Sequence, residues 1–202
     1  MAMLKSEFIT WARGKALDYD GVPSQPYQCV DEIKFFLDKA CDIKGFSFTL
    51  PVKNPHGYAR SLWENFNDYD QLRGKAVKIK NTPSFIPALG DIIVWNESVG
   101  EAGHVALGEG RATDTTKRFT SLDQNWGATY CKDINHKYSG VYGVIRMLIK
   151  AATTDLNVRS GPGTNYNKVG EIPKGTLVLP KKYEGNWAQI GDGRWVSANY
   201  LE

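Results

Sequence analysis

The order in which the periodic patterns appear most constrains the fold of this chain. Helical spacing of apolar residues comes first, in LKSEFITWARG and CVDEIKFFLDKAC, and a third short helix is predicted from Gly57 to Phe66. Extended runs follow, namely AVKIK, DIIVW, HVALG, FTSLDQN and GVYGVIRML. Because no helical pattern lies between these runs to form a parallel crossover, they predict an α+β fold with the N-terminal helices packed on an antiparallel sheet.

A second change of pattern divides the chain near Ala151. From Thr154 to Glu202 the sequence reads as short strands separated by glycines, whereas the preceding part mixes helical and strand patterns. We therefore predict a first domain over residues 1–148, a linker over 149–153 and a small β domain over 154–202. A chain of 202 residues is long enough for one sizeable core and a small second domain.

Composition and charge exclude several classes of protein. With 42% hydrophobic and 23% charged residues, the chain reads as an ordinary globular protein. Lys5, Glu7 and Arg13 interrupt the N-terminal stretch where a secretory signal would be apolar, and no segment is long enough to be membrane-embedded. A net charge of +3 falls short of the basic stripe that nucleic-acid binding requires. We expect a monomer made in the cytoplasm, without a nucleic-acid partner.

Three cysteines, an odd number, indicate one reactive thiol and two bystanders rather than a disulfide scaffold. Cys29, in QPYQCVD, opens the second helix, where free N–H groups and the helix dipole favour a thiolate. The alternative is that Cys29 is a small buried hydrophobic residue. Cys41 lies about 18 Å further along the same helix at 1.5 Å per residue, too far for a disulfide, and we interpret it and Cys131 as structural.

A cysteine nucleophile requires a base that later protonates the leaving amine, usually a histidine. His56 and His136 fall in polar connections and are predicted to face solvent. His104 opens the apolar run HVALG at a strand start and is the predicted base. Strand alternation would place Asp123 and Asn125 on one face near the histidine, so either side chain could hold its tautomer. The alternative for both is an ordinary polar strand end.

The acidic residues around Cys29 suit a hard cation better than zinc. The sequence contains no HExxH and no CxxC, which disfavours a metallopeptidase. Asp18, Asp20 and Asp31 bracket Cys29 and would offer the oxygen ligands that Ca²⁺ prefers. Asp31 could instead simply favour the helix N-terminus. We therefore expect chemistry that requires no cofactor, with calcium as an open question.

The segments YQCVD, PALGDIIVW, GHVAL and LDQNW resemble, in that order, the CHAP family of cysteine, histidine-dependent amidohydrolases and peptidases. The resemblance covers about residues 14–148 and implies a papain-like fold and cleavage of an amide bond in peptidoglycan. It implies that Cys29 is the nucleophile and His104 the base. Many relatives read LEQNW where this chain reads LDQNW, so the orienting role is implied for Asp123 and Asn125 together.

Two further roles follow from the same resemblance. Gln28 immediately precedes the nucleophile in many relatives, and either its side-chain amide or the backbone N–H of Cys29 would supply an oxyanion donor. Some endolysins of the family bind calcium through a D-x-D loop and an Asp two residues after the cysteine. Asp18, Asp20 and Asp31 match that arrangement, although the intervening loop GVPSQPY is longer here.

The C-terminal segments LNVRSGPGTNYNKVGEIPKGT and NWAQIGDGRWVSANYLE resemble the bacterial SH3 domain, a small all-β barrel. In wall hydrolases such domains tether the enzyme to cell-wall polymer. Four aromatic side chains would line a peptide or glycan groove, or alternatively fill the core: Tyr166, Trp187, Trp195 and Tyr200.

Together the two resemblances imply a phage endolysin, released through a holin-type pore to act on cell-wall peptidoglycan. They leave open whether it is an N-acetylmuramoyl-L-alanine amidase or a peptidoglycan endopeptidase. The alternatives are a catalytically inactive wall-binding protein and, disfavoured by the appended domain, a cytosolic cysteine peptidase that acts on proteins.

Overall fold

The computed structural model describes residues 2–82, 85–111 and 118–202 and divides into two compact units. The first unit is Lys5–Met147, and the second is Leu148–Glu202 together with the N-terminal residues up to Leu4. In the described residues, none of the helices combines the length and the apolar character needed to cross a membrane.

Helices of the first unit occupy the segments with helical periodicity. The helices are α1 (Lys5–Ala12), α2 (Cys29–Cys41) and α3 (Ser61–Glu64), with 3-10 turns at Phe66–Asp68, Asp70–Leu72 and Glu97–Val99. The predicted spacing of α2 buries Ile33, Phe36 and Leu37 completely, and Phe8 of α1 packs edge-on against Phe36 at 5.5 Å between ring centroids. Helix α3 is shorter than the predicted 57–66 segment.

The strands of the first unit, where described, form one antiparallel sheet in the order β1-β6-β2-β3-β4-β5. They are β1 (Ala76–Lys80), β2 (Ile92–Trp95), β3 (His104–Gly108), β4 (Arg118–Asp123), β5 (Lys132–Lys137) and β6 (Val141–Met147). The prediction of helices followed by an antiparallel sheet is confirmed. Strand β5 was not predicted, because its sequence KDINHK contains a single large apolar residue and reads as a polar connection.

The centre of the sheet determines where functional side chains meet. Strands β2 and β3 are buried along their whole length, as expected for strands covered on both faces. Helix α2 packs against β3. The first residue of the helix, Cys29, therefore lies beside the first residue of the strand, His104.

The second unit is all-β, as predicted. Its strands are β7 (Lys150–Ala151), β8 (Leu156–Arg159), β9 (Lys168–Ile172), β10 (Leu177–Val178), β11 (Lys182–Glu184), β12 (Trp187–Gly191) and β13 (Arg194–Ser197), followed by a 3-10 turn at Ala198–Tyr200. Strands β11-β12-β13-β8-β9 form one sheet and β10 pairs with β7. Small and branched side chains fill the core, among them Val158, Ala188 and Val196.

The residues predicted as a linker, 149–153, take part in this second unit. Lys150 and Ala151 form strand β7, which pairs with β10, and Ala152 is fully buried and bridges to Leu201. These small residues are held by backbone pairing, which the composition of an Ala-Ala-Thr segment does not signal. The segment is therefore a structural part of the β unit rather than a free connection.

Candidate active site

Cys29 is a buried thiol in an environment that favours its ionised form. Its sulfur lies beside the side chain of His104 and the backbone of Val30 and Val105, and these groups stabilise the thiolate. Burial disfavours a thiolate, but the charge and hydrogen bond of His104 outweigh it and lower the pKa of Cys29 below its usual value. For the two other thiols burial dominates: it raises the pKa of Cys41 to about 12, against the opposing charge of Lys5, and it also raises the pKa of Cys131.

The chain turns sharply just before Cys29, which is why the helix begins at that residue. Tyr27 has a left-handed backbone (φ 59°), a conformation that costs a non-glycine residue free energy and is found at functional sites. The next residue, Gln28, donates its N–H to Oδ2 of Asp31 at 2.9 Å. Asp31 thus caps the first turn, the role that its position alone suggested.

The position of His104 depends on the glycine before it, because a side chain at that glycine would displace neighbouring atoms. Gly103 has φ 66°, and a Cβ there would lie 2.5 Å from the carbonyl oxygen of Trp95 and 2.7 Å from Cβ of Arg60. The ring of His104 bonds through Nε2 to Oδ2 of Asp123 at 2.9 Å, which leaves Nδ1 for the thiol of Cys29. Burial favours neutral imidazole, but the thiolate and the carboxylate outweigh it and raise the pKa of His104 to about 10.

Asp123 ends strand β4 with a fully buried carboxylate that accepts three hydrogen bonds. Its Oδ1 accepts from Oγ of Ser121 at 2.7 Å. Its Oδ2 accepts from Nε2 of His104 and from Nε2 of His136, each at 2.9 Å. Burial opposes ionisation, yet the two histidine hydrogen bonds outweigh it and lower the pKa of Asp123 below its usual value.

Asn125 does not reach the histidine, contrary to the expectation from strand alternation. It lies beyond the end of β4 with φ 63°, and this left-handed turn breaks the two-residue period. Among the described residues, its side chain donates to Oε1 of Gln28 at 3.4 Å and its backbone N–H to Ala128. The amide nitrogen of Gln28 in turn donates to the carbonyl oxygen of Pro26 at 3.3 Å.

The prediction that His136 faces solvent is wrong. It lies on β5 with its side chain 5% exposed, while both of its neighbours along the strand are exposed. Its ring lies 4.8 Å from Trp95 and 4.7 Å from Trp126, centroid to centroid. The signal available in the sequence was the alternation of Ile134 and His136 with charged and amide residues, which is weak because the strand holds one large apolar residue.

A buried acid, also missed by the sequence analysis, lies one helical turn after Cys29. Glu32 is fully buried, and its Oε2 accepts from the N–H of Gln124 at 3.0 Å. Burial and the nearby charge of Asp123 raise the pKa of Glu32 well above its usual value, so a neutral carboxylic acid is favoured there. The side chain of Gln124 bonds to both backbone groups of Leu17 and to the carbonyl of Gln28, which ties the end of β4 to the loop before α2.

The predicted cation ligands do come together. One carboxylate oxygen from each of Asp18, Asp20 and Asp31 lies within 4.8 Å of the others, and such an oxygen set suits Ca²⁺. The ammonium group of Lys34 forms ion pairs with two of these three aspartates, at 2.7 Å from Oδ2 of Asp20 and 3.2 Å from Oδ1 of Asp31. A divalent cation held by all three carboxylates would therefore compete with Lys34.

A cleft of about 890 Å³ opens over Cys29. Its lining includes Tyr19 and Gln25 from the loop before α2, together with Phe48, His56 and Tyr58. His56 is exposed, as predicted, and stacks on Tyr58 at 5.3 Å. Cys29 is therefore one of the residues that line this cleft.

The aromatic residues predicted to bind cell wall fall into two groups. Tyr166 and Tyr200 are exposed and Trp187 is half-buried. Trp195 is 5% exposed, with the ammonium group of Lys182 above its ring at 5.0 Å. For Trp195 the alternative of a packed aromatic therefore holds, because too little of its ring reaches the surface to line a groove.

The opposite pKa shifts at Cys29 and His104 make the reactivity of the thiol testable. Because His104 lowers the pKa of Cys29 below that of an ordinary thiol, we expect its alkylation by iodoacetamide to reach its maximal rate at a lower pH than alkylation of an ordinary thiol does. Cys41, with a pKa of about 12, should react only at strongly alkaline pH. Peptide mass spectrometry after timed alkylation gives both rates, and a Cys29 rate that climbs through pH 9 as an isolated thiol does would contradict this assignment.

Comparison with known proteins finds similarities over different parts of the chain. Residues 154–202 match the bacterial SH3 domain family. A putative N-acetylmuramoyl-L-alanine amidase, YrvJ of Bacillus subtilis (strain 168), is 43% identical over 49 residues, 22% of this chain and 10% of that protein. Xyloglucan O-acetyltransferase 2 of Populus trichocarpa is 36% identical over 69 residues, 34% of this chain and 15% of that protein.

Among solved structures, the wild-type endolysin LysIME-EF1 is similar with a TM-score of 0.52 and 26% identity. The similarity covers 72% of this chain and 64% of that one. The chain thus spans less than two thirds of this endolysin and at most 15% of the two curated relatives.

Proposed function

We propose that this chain is a peptidoglycan hydrolase of the endolysin type, which cleaves an amide bond in the stem or cross-bridge peptide. The observation that carries the proposal is the placement of Cys29, in the lining of a cleft, beside His104, whose Nε2 is hydrogen-bonded to the buried carboxylate of Asp123. The bacterial SH3 match and the similarities to an endolysin and to an amidase support peptidoglycan as the substrate.

In the proposed reaction, the Cys29 thiolate attacks the carbonyl carbon of the amide and forms a carbon–sulfur bond. The imidazolium of His104 gives its proton to the amide nitrogen as the carbon–nitrogen bond breaks, so the amine leaves neutral and a thioester remains. Water then attacks the thioester, with its proton taken by His104, and the carboxylic acid product and the Cys29 thiolate are released. Asp123 stabilises the imidazolium and holds its orientation.

The negative oxygen of the tetrahedral intermediate requires a hydrogen-bond donor beside Cys29. The backbone N–H of Cys29 belongs to the first turn of α2, whose N–H groups have no acceptor within the helix. The side-chain amide of Gln28 is bonded to the carbonyl of Pro26 instead. We therefore assign the oxyanion donor to the Cys29 backbone.

The second unit is proposed to hold the enzyme at the cell wall, which raises the local concentration of scissile bonds. Of the four aromatic residues predicted for this contact, Tyr166, Trp187 and Tyr200 are accessible. Their flat, amphipathic rings suit sugar and peptide surfaces.

Digestion of purified bacterial cell walls tests the proposal directly. We expect the turbidity of a wall suspension to fall, and mass spectrometry of the soluble products to show new amino groups. A free amino group on the first alanine of the stem indicates an amidase, whereas one at a bridge or stem position indicates an endopeptidase. Walls that bind the protein but stay intact would instead support the non-catalytic wall-binding alternative.

The proposed chemistry requires no cofactor, and a bound calcium ion would act on structure alone. Asp18, Asp20 and Asp31 would hold it, and it would fix the loop that leads into α2 without touching the reacting atoms. Lys34 supplies one positive charge at the same position.

Replacing Lys34 tests whether its ammonium group and a calcium ion compete for the carboxylates of Asp18, Asp20 and Asp31. In the presence of a chelator, we expect Lys34→Met to lose on the order of 3 kcal/mol of stability, because the buried carboxylate of Asp31 loses its counter-ion. Calcium should then raise the melting temperature of Lys34→Met by more than that of the wild type, since the ammonium no longer competes. Lys44→Met, which removes an exposed surface charge, is the control, and an equal calcium response in all three proteins would refute the competition.

A further inference from the structure

His136 contacts the same carboxylate oxygen as the proposed catalytic base. Its Nε2 lies 2.9 Å from Oδ2 of Asp123, the same distance and the same oxygen as for Nε2 of His104. Both histidine side chains are 5% exposed and the carboxylate is fully buried. Two histidines therefore meet at one buried charge, and the proposed reaction uses only one of them.

The hydrogen-bonding roles in this group are fixed by the chemistry of Asp123. An ionised carboxylate only accepts, so both imidazoles must donate from Nε2. The second oxygen of Asp123 accepts from the hydroxyl of Ser121. With donors on β3, β4 and β5, the plane of the carboxylate cannot rotate without breaking at least one bond.

Aromatic packing encloses the two histidines together. Trp126 contacts His104 at 4.9 Å and His136 at 4.7 Å between ring centroids. Trp95 contacts the same two rings at 5.4 Å and 4.8 Å. The imidazole of His136 thus supports both the carboxylate and the indole of Trp126 that covers His104.

We propose that His136 is a positioning residue for His104. By holding Oδ2 of Asp123 in line with Nε2 of His104, it keeps the opposite ring nitrogen directed at the sulfur of Cys29. The inference rests on the proposed Cys–His chemistry, but it concerns a residue that neither the motifs nor that chemistry requires.

The proposal predicts a specific change when the donor is lost. The hydrogen bond from His136 helps to lower the pKa of Asp123, so its removal should let the carboxylate take up a proton at higher pH. The other titratable groups facing Asp123 are His104 on β3, Glu32 on α2 and Cys131 before β5, and Cys29 on α2 faces His104. All of them remain in a His136 variant, so the change is attributable to the missing donor.

The test compares His136→Leu, which removes the donor, with His136→Gln, whose Nε2 can still donate to Asp123. Tyr138→Phe is the matched control, because Tyr138 packs on Phe119 in the same aromatic cluster and the change removes only a hydroxyl. Each protein is measured for kcat and KM on cell walls, for thermal unfolding, and for the pH dependence of Cys29 alkylation by iodoacetamide. Alkylation requires the Cys29–His104 pair but no substrate.

We expect His136→Leu to lower kcat by about tenfold or more, as loss of an outer orienting partner commonly does, with KM changed less than twofold. The acid limb of Cys29 alkylation should move to higher pH, and His136→Gln should recover most of both properties. An unchanged alkylation profile in His136→Leu, or an equal loss in both variants together with a lower melting temperature, would overturn the positioning role. If the wild type digests no cell wall, the proposed function fails, while the alkylation profiles still test His136.

Discussion

Replacing Cys29 by alanine should abolish the hydrolysis of cell walls, with a loss of roughly 10⁴-fold or more in kcat, while the protein stays folded. The thiolate forms the only covalent bond to the substrate in the proposed reaction, and neither His104 nor Asp123 can take its place. The loss is expected in kcat because the second unit, which would bind the wall, is unchanged. Turbidity assays measure the rate, and co-sedimentation with walls measures the remaining binding.

Cys41→Ala is the matched control for this prediction. Cys41 is a buried thiol at the other end of the same helix, and its raised pKa keeps it protonated. We expect this variant to lose some stability and to keep its hydrolytic rate. Lysis that survives Cys29→Ala would show that another group performs the chemistry.

Asp123→Asn should have the second-largest effect, a decrease in kcat/KM of roughly 10²- to 10⁴-fold, as for the orienting acid of a serine protease. The amide carries no charge and presents one acceptor where two histidines now donate. The pKa of His104 should fall and that of Cys29 should rise, so less thiolate is present at neutral pH. Slower alkylation of Cys29 at pH 7, measured by mass spectrometry, would accompany the lost activity.

Asn125→Ala in the same assays distinguishes between the two orienting groups that the sequence left open. Because Asn125 bonds to Gln28 rather than to His104, we expect its loss to be smaller than that of Asp123→Asn by at least tenfold. A greater loss in Asn125→Ala would instead assign the orienting role to the amide.

Much of the fold was predictable because its elements carry strong local periodicity. The apolar spacing of α2 and the continuous apolar run of β2 each reflect the burial of residues that are close together in the sequence. Strand β5 was missed because its inward face carries a lysine, an isoleucine and a histidine, and a buried histidine is indistinguishable in sequence from an exposed one.

The sequence by itself determined the order of the helices and of most strands, the all-β character of the C-terminal part, and the candidates Cys29 and His104. Only the tertiary structure brought His136 to Asp123, placed Lys34 among the acidic residues, and carried Asn125 away from the histidine. The physical reason is that periodic patterns reflect burial, which neighbouring residues share, whereas hydrogen-bonded partners are chosen by geometry. Asp123 lies 19 residues after His104 and 13 residues before His136. Only the folded sheet brings both histidines within hydrogen-bonding distance of its carboxylate.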